Sequence, residues 1–261
     1  MGVLNVTPDS FSEGGRFATH GAAFDHAVQL ATEGAAIIDV GGESTRPGSE
    51  RVPASQQIDR AVPVIERIVA QLDVAVSVDT SDPRVMHAAI EAGACIVNDV
   101  SALCWPGARE VCAQAGVGVC LMHMLGEPRS MQDDPTYRDV SREVSDFLLQ
   151  QRTRCLTAGI AAQSIVFDPG LGFGKTFVHN MTLLKEMPAL VALGCPLLIG
   201  VSRKSFVGRM LGRETQDRLY GGLGLAALAV SQGVRIIRTH DVAPTVDVVG
   251  AVAAVLQGIG N

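Results

Sequence analysis

The sequence predicts an α/β protein folded as a single (β/α)8 TIM barrel, one domain over residues 1–261, and three observations lead there. Short apolar, β-branched runs alternate with stretches of helical periodicity, as expected of parallel strands joined by crossover helices. Eight such units fit into about 260 residues, the usual length of this barrel. No Pro/Ser-rich linker divides the chain. A doubly wound open sheet is the runner-up architecture.

The strands are read in order as GVLN (2–5), AIIDV (36–40), VAVSVD (74–79), CIVND (95–99), GVCLMH (118–123), IVFD (165–168), PLLIGV (196–201) and RIIRTH (235–240). Helices follow them at roughly 22–33, 54–71, 82–92, 107–115, 139–158, 178–186, 203–232 in two pieces, and 242–258. The segments EGAA, EAGAC, QAGVG, TAGIA and QGVRI put a glycine just after a helix and before the next strand, where a left-handed cap is needed. SDPRV and DVAPTV place Ser or Asp near a proline able to open a helix. The long, polar, glycine-rich loops NVTPDSFSEGGRF and GGESTRPGSERV, after strands 1 and 2, carry Arg16, Arg46 and Arg51 and read as lids or binding loops.

Composition narrows the function. Hydrophobic residues at 47% and charged residues at 18% exclude a disordered chain. A net charge of −6 argues against broad attachment to nucleic acid or to an anionic membrane, so an anionic ligand requires a local basic cluster. Six cysteines without C-x-x-C pairs or zinc spacing read as reduced, mostly buried residues of a cytoplasmic protein. No 18-residue apolar run or signal segment suggests a membrane or export. Met1 opens almost directly into a strand, which suggests that the natural chain begins earlier.

Function in this barrel sits at the C-terminal strand ends. These are Asn5, Asp39, Asp79, Asn98 with Asp99, His123, Asp168, the run Ser202-Arg203-Lys204-Ser205, and Arg238 with His240. Carboxylates and amides occupy strands 1 to 4 and 6, and bases gather at strands 7 and 8. Capping of loops by Asp and Asn explains any one of them. The segregation of the set points instead to a nitrogen-rich ring, held by Asp79, Asn98 and Asp168, with a phosphorylated arm near Arg203, Lys204, Arg238 and His240.

FDPGLGFGKT (167–176) imitates a phosphate-binding loop but has Pro169 where the first glycine of G-x-x-x-x-G-K-[ST] must stand. Proline offers no N–H, so Lys175 reads as a rim charge, the glycines as room for backbone near a ligand, and Phe173 as an apolar wall.

GVLNVTPDSFSEGG, IIDVGGESTRPGS, SVDTSDP, IVNDVSAL, CLMHMLGEP, FDPGLGFGKT, PLLIGVSRKSF and IIRTHDV together closely resemble the bacterial dihydropteroate synthase family, over residues 2–242. The resemblance implies a homodimeric (β/α)8 barrel of folate biosynthesis that joins 6-hydroxymethyl-7,8-dihydropterin pyrophosphate to p-aminobenzoate with Mg²⁺. It implies that Asp79, Asn98, Asp168 and Lys204 line the pterin pocket, with Met122 of CLMHM also in the substrate site. Asn5 would hold the magnesium-pyrophosphate, with Arg238 and His240 as anion partners. Thr45, Arg46, Pro47, Phe173 and Ser205 would shape the p-aminobenzoate site. It also implies an SN1-like displacement, without nucleic-acid or membrane partners. Gly222 stands where a small hydroxyl residue is expected, and the family's usual stretch before strand 1 is missing. A pterin-dependent methyltransferase, a Schiff-base aldolase using Lys204 and a non-catalytic pterin binder are the other classes to weigh.

Overall fold

The computed structural model of the protein describes residues 1–7, 15–44, 49, 51–127 and 129–258, the side chains of 15–19 excepted. Among these, eight strands alternate with helices: β1 Gly2–Asn5, α1 Gly15–Thr32, β2 Ile37–Gly41, α2 Ala54–Gln71, β3 Ala75–Asp79, α3 Pro83–Glu91, β4 Ile96–Asp99, α4 Ala108–Ala115, β5 Gly118–Met122, α5 Val140–Thr157 and β6 Ile165–Asp168. Then come α6 Phe177–Lys185, α7 Met187–Val191, β7 Leu198–Gly200, α8 Ser205–Leu211, α9 Leu219–Ser231, β8 Ile236–Arg238 and α10 Val242–Gln257.

β1 to β6 form one parallel ladder in sequence order, and β7 pairs parallel with β8. Single parallel bridges join the two groups, Phe167 with Leu197 and Gly2 with Thr239. Backbone bonds from Phe167 N to Pro196 O (2.9 Å) and from Val3 N to Thr239 O (3.0 Å) complete the ring, so the eight strands make the barrel that the sequence predicts. With only single bridges at these two seams, β7 and β8 are shorter than their apolar runs.

Strand alternation divides each strand into two faces. Leu4, Ile38, Val40, Val76, Val78, Val97, Leu121, Ile165, Phe167 and Ile199 belong to the core between strands and helices. Full burial of such a side chain contributes roughly 1.5–3 kcal/mol. The opposite parity, Val3 and Asn5, Asp39 and Gly41, Ser77 and Asp79, Asn98, Met122, Asp168, Gly200 and Arg238, faces the barrel axis.

The helices follow local chemistry. Asp82 caps α3 by accepting from Arg84 N at 2.9 Å, with Pro83 in the first turn. The expected cap glycines Gly34, Gly93, Gly116, Gly159 and Gly233 all take positive φ. α2 tolerates Pro63, which leaves Asp59 O without its helical donor; the His20 ring occupies that carbonyl at 3.0 Å. Two features of the helices differ from the sequence reading. α1 begins at Gly15, earlier than expected, because glycine carries little helical signal. The second difference is an added element: α6 ends where the sequence reading has it, and a short α7 absent from that reading follows, with Pro188 in its first turn.

Candidate functional site

The parallel register brings the axis-facing residues of the rim to one level. Asn5 lies beside Gly41, Gly41 beside Asp79, and Asp79 beside Asn98; Met122 lies beside Asp168, and Gly200 beside Arg238. Asp79, Asn98, Met122, Asp168, Phe173, Lys204, Arg238 and His240 line one pocket at this rim. Two members of the ring have no side chain: a Cβ on Gly41 would lie 3.6 Å from Asn5 Oδ1, and one on Gly200 3.9 Å from Lys204 Cε. The glycines thus leave space inside a ring of polar groups.

An ion-pair network fixes the floor. Arg238 donates from Nε to Asp39 Oδ2 and from Nη2 to Asp79 Oδ2, each at 2.7 Å. Asn98 Nδ2 donates to the same Asp39 Oδ2 at 3.0 Å. Because the carboxylate can only accept, this bond fixes the amide orientation and leaves Asn98 Oδ1 as an acceptor. Asp39 is fully buried, one layer below Asp79, and serves as counter-charge rather than as ligand contact. By sequence it is only one of the polar strand ends.

Asp79 Oδ1 is buried with no hydrogen-bond partner. Burial raises the Asp79 carboxyl; Arg238 pulls it down, and Asp39 pushes it up again. Asp168 is also raised by burial, against the Gly170 N–H that donates to its Oδ1 at 2.7 Å and against the charge of Lys204. Lys204 is half-buried, its Nζ 4.3 Å from the Phe173 ring centroid. Burial lowers its pKa to about 8, with Asp168 opposing.

The basic cluster read at strands 7 and 8 is largely committed to carboxylates. Arg203 ion-pairs with Asp241 at 2.6 Å, and Arg238 with Asp39 and Asp79, leaving only its Nη1 outside those bonds. His240 is half-buried, its Nδ1 3.1 Å from Ser202 Oγ. Ser205 is exposed in the first turn of α8. Thr45, Arg46 and Pro47 fall outside the described residues, as does the Arg16 side chain.

Two strand-end residues face away from the axis because their parity is that of the outer core. Asp99 accepts from Ser81 and Ser101 and from Leu103 N at 2.7 Å, holding a loop in which Ala102 and Leu103 take positive φ. His123 packs edge-on against Phe147, with ring centroids 5.0 Å apart, outside the pocket. The period-two pattern of β4 and β5 contained this signal.

FDPGLGFGKT also corrects its reading. Lys175 is 3% exposed, not a rim charge, and its Nζ contacts His123 Nδ1 (3.0 Å), His123 O (3.3 Å) and Phe173 O (3.0 Å). Thr176 caps α6, accepting from His179 N at 3.2 Å. The glycines make room for the neighbouring loop's backbone rather than for a ligand: a Cβ on Gly170 would stand 1.9 Å from His123 O, and one on Gly174 2.4 Å from Leu125 O. Phe173 does line the pocket, as expected of an apolar wall. All six cysteines are unpaired; Cys112, Cys120, Cys155 and Cys195 are buried, as expected of mostly buried thiols, and Cys95 and Cys104 are exposed.

Among known proteins, residues 1–240 match the model of a family described as pterin binding enzyme. The dihydropteroate synthase of Escherichia coli K12 is 46% identical over 264 residues, covering 100% of this chain and 93% of its own. The structure of Yersinia pestis dihydropteroate synthase with a sulfonamide drug complex superposes with a TM-score of 0.94 at 44% identity, over 99% of this chain and 94% of the other. Xanthomonas albilineans dihydropteroate synthase in complex with 7,8-dihydropteroate gives a TM-score of 0.90 at 43% identity, over 100% of this chain and 94% of the other.

Proposed function

The chain belongs to the pterin-binding enzyme family, and from that premise we infer that it catalyses the dihydropteroate synthase reaction. It condenses 6-hydroxymethyl-7,8-dihydropterin pyrophosphate with p-aminobenzoate to give 7,8-dihydropteroate and pyrophosphate, in folate biosynthesis. The observation that carries this reading is the set of acceptors on the inner rim: Asp79 Oδ1 without a partner, Asn98 Oδ1 oriented by Asp39, and the Asp168 carboxylate, with Lys204 opposite. A pterin presents adjacent ring and exocyclic N–H groups that match such a set.

The reaction is dissociative. The bond between the pterin methylene carbon and the pyrophosphate oxygen breaks, its electron pair leaving with oxygen. Asp79 stabilises the resulting cation because its carboxylate is held in place by Arg238 before charge develops. Lys204, His240 and the outlying Nη1 of Arg238 attract the pyrophosphate. The neutral aniline nitrogen of p-aminobenzoate then attacks the methylene carbon and loses its proton to solvent. Phe173 and the exposed Ser205 serve the p-aminobenzoate side in this reading, to which the family resemblance also assigns Thr45, Arg46 and Pro47. Sulfonamides compete for that side of the pocket.

Magnesium is the metal of this reading. Asn5 offers a hard amide oxygen beside the side-chain-free Gly41, and among the described residues no group of three His, Cys, Asp or Glu forms a metal cage. That donor set fits an ion whose other oxygens come from substrate phosphates and water. When bound, the ion neutralises charge on the pyrophosphate.

The single barrel domain acts as a homodimer in this reading, supported by the exposed apolar residues Met210, Leu211, Tyr220 and Leu228 on α8 and α9. No described helix is long and apolar enough to cross a membrane, and the unpaired thiols favour a reducing cytoplasm.

The deciding assay follows pyrophosphate release from the dihydropterin pyrophosphate with Mg²⁺, with and without p-aminobenzoate, and detects dihydropteroate. Release coupled to product supports the synthase. Binding of the pterin without release overturns it in favour of a non-catalytic binder.

A further inference from the structure

We propose that Lys175 is a positioning residue that locks the loop after β5 to the loop after β6 and thereby sets the Phe173 wall of the pocket. The proposal rests on the synthase reading for the role of Phe173 and on the following geometry for the lock.

The two loops run against each other backbone to backbone. The Cβ positions of Gly170 and Gly174 would fall 1.9 Å from His123 O and 2.4 Å from Leu125 O, so glycine is required for this approach. Side chains lace the seam: Gln132 Nε2 donates to Gly172 O at 2.6 Å, and Tyr137 Oη donates to Gly174 O at 2.8 Å. Asn180 accepts from Gly172 N at 2.7 Å and secures the far side. At the centre lies Lys175, whose Nζ has three partners, one ring nitrogen and one carbonyl from His123 and one carbonyl from Phe173 itself. An ammonium has three N–H groups, and each finds an acceptor.

Such a buried cation is otherwise costly to retain. Burial lowers its pKa to about 7 and depresses that of His123 to about 3, so the imidazole is neutral. A neutral imidazole bonds the amine in either protonation state: Nδ1 accepts from the ammonium, or, as the other tautomer, donates to the free amine. The lock therefore persists while Lys175 titrates. Of the lining groups Lys175 hydrogen-bonds only Phe173, although its charge also reaches Asp168 and Lys204, and the Phe173 ring meets Lys204 Nζ on the pocket side. Phe173 is thus held through its main-chain carbonyl by Lys175, while its ring receives Lys204.

The test uses the full chain with Lys175→Met, which keeps the apolar stem and removes the three donors. The Michaelis constant for p-aminobenzoate is expected to rise about 10-fold while that for the pterin pyrophosphate stays within about twofold. Amide exchange in residues 123–132 and 170–176 is expected to quicken about 10-fold, with β3 and β4 unchanged. Tyr137→Phe removes a parallel strap and is expected to move both readouts in the same direction by less, which keeps the test open where the methionine variant does not fold. Equal rises for both substrates, or unchanged exchange in the two loops, overturn the lock. Absence of turnover in the unmodified chain overturns the synthase reading instead, and the exchange data still judge the lock.

Discussion

The Arg238 guanidinium meets the Asp39 carboxylate at 2.7 Å, across 199 residues of sequence and the seam where β8 returns to β1. This buried pair sets the floor on which the Asp79 carboxylate, the cation stabiliser of the proposed reaction, rests. Asp39→Ala leaves Arg238 and Asn98 without a shared acceptor. Removing one partner of a buried pair costs about 3–5 kcal/mol. Urea unfolding should show a loss of that order; a loss under about 1 kcal/mol would mean that Asp79 alone suffices for Arg238.

Asp79→Asn preserves shape but removes the charge that, in the proposed reaction, faces the developing cation. It is expected to lower kcat/KM by about 100-fold or more, the scale for one preorganised electrostatic group. Steady-state kinetics with both substrates checks this, and binding of the pterin by calorimetry separates the loss of catalysis from loss of affinity.

Lys204 gives a pH signature. Its pKa falls from 10.5 in the open chain to about 8 in the fold, burial outweighing Asp168. Between these values the unfolded chain binds more protons than the native one, so this group makes stability rise with pH across about 8 to 10.5. Below about 8 the full penalty is present. Lys204→Met should therefore be more stable than the parent at pH 7, and the difference should shrink toward pH 10.5. Melting temperatures of both proteins across that range measure it, and a constant difference contradicts the assignment.

Gly170→Ala and Gly116→Ala separate close approach from backbone strain. Both glycines have positive φ, but the new methyl at residue 116 meets nothing within 4 Å, whereas at residue 170 it overlaps His123 O. Gly116→Ala should cost about 1 kcal/mol, the left-handed penalty alone. Gly170→Ala should cost at least about 3 kcal/mol or prevent folding. Equal losses in denaturant would remove the evidence for the loop seam.

Gly222, where the sequence suggested a missing hydroxyl residue, lies inside α9 with an added Cβ only in ordinary contact, 3.5 Å from Val201 O. Gly222→Ala is accordingly expected to stabilise by about 0.5–1 kcal/mol through helix propensity. A lower melting temperature would show that the small cavity beside it is required.

The eight units, their glycine caps and the pocket residues Asp79, Asn98, Asp168 and Lys204 were all legible in the chain, because each depends on local periodicity and on a rim defined by strand direction. The outward turn of Asp99 and His123 was legible too, in the alternation of β4 and β5, although polarity alone made them resemble site residues. Lys175 was not: its charge suggests a surface, and its place in the interior depends on the ring nitrogen and carbonyl that His123 brings from another unit, beside the Phe173 carbonyl of its own loop.

By itself the sequence determined the barrel and which side chains point to its axis, since alternation and capping act over a few residues. The tertiary structure alone decided which charges neutralise one another and where a buried amine meets a neutral imidazole. Asp39 with Arg238, Arg203 with Asp241 and Lys175 with His123 are pairs brought together by barrel closure and by loops crossing between units. Their energies depend on burial and on distances that no local pattern encodes.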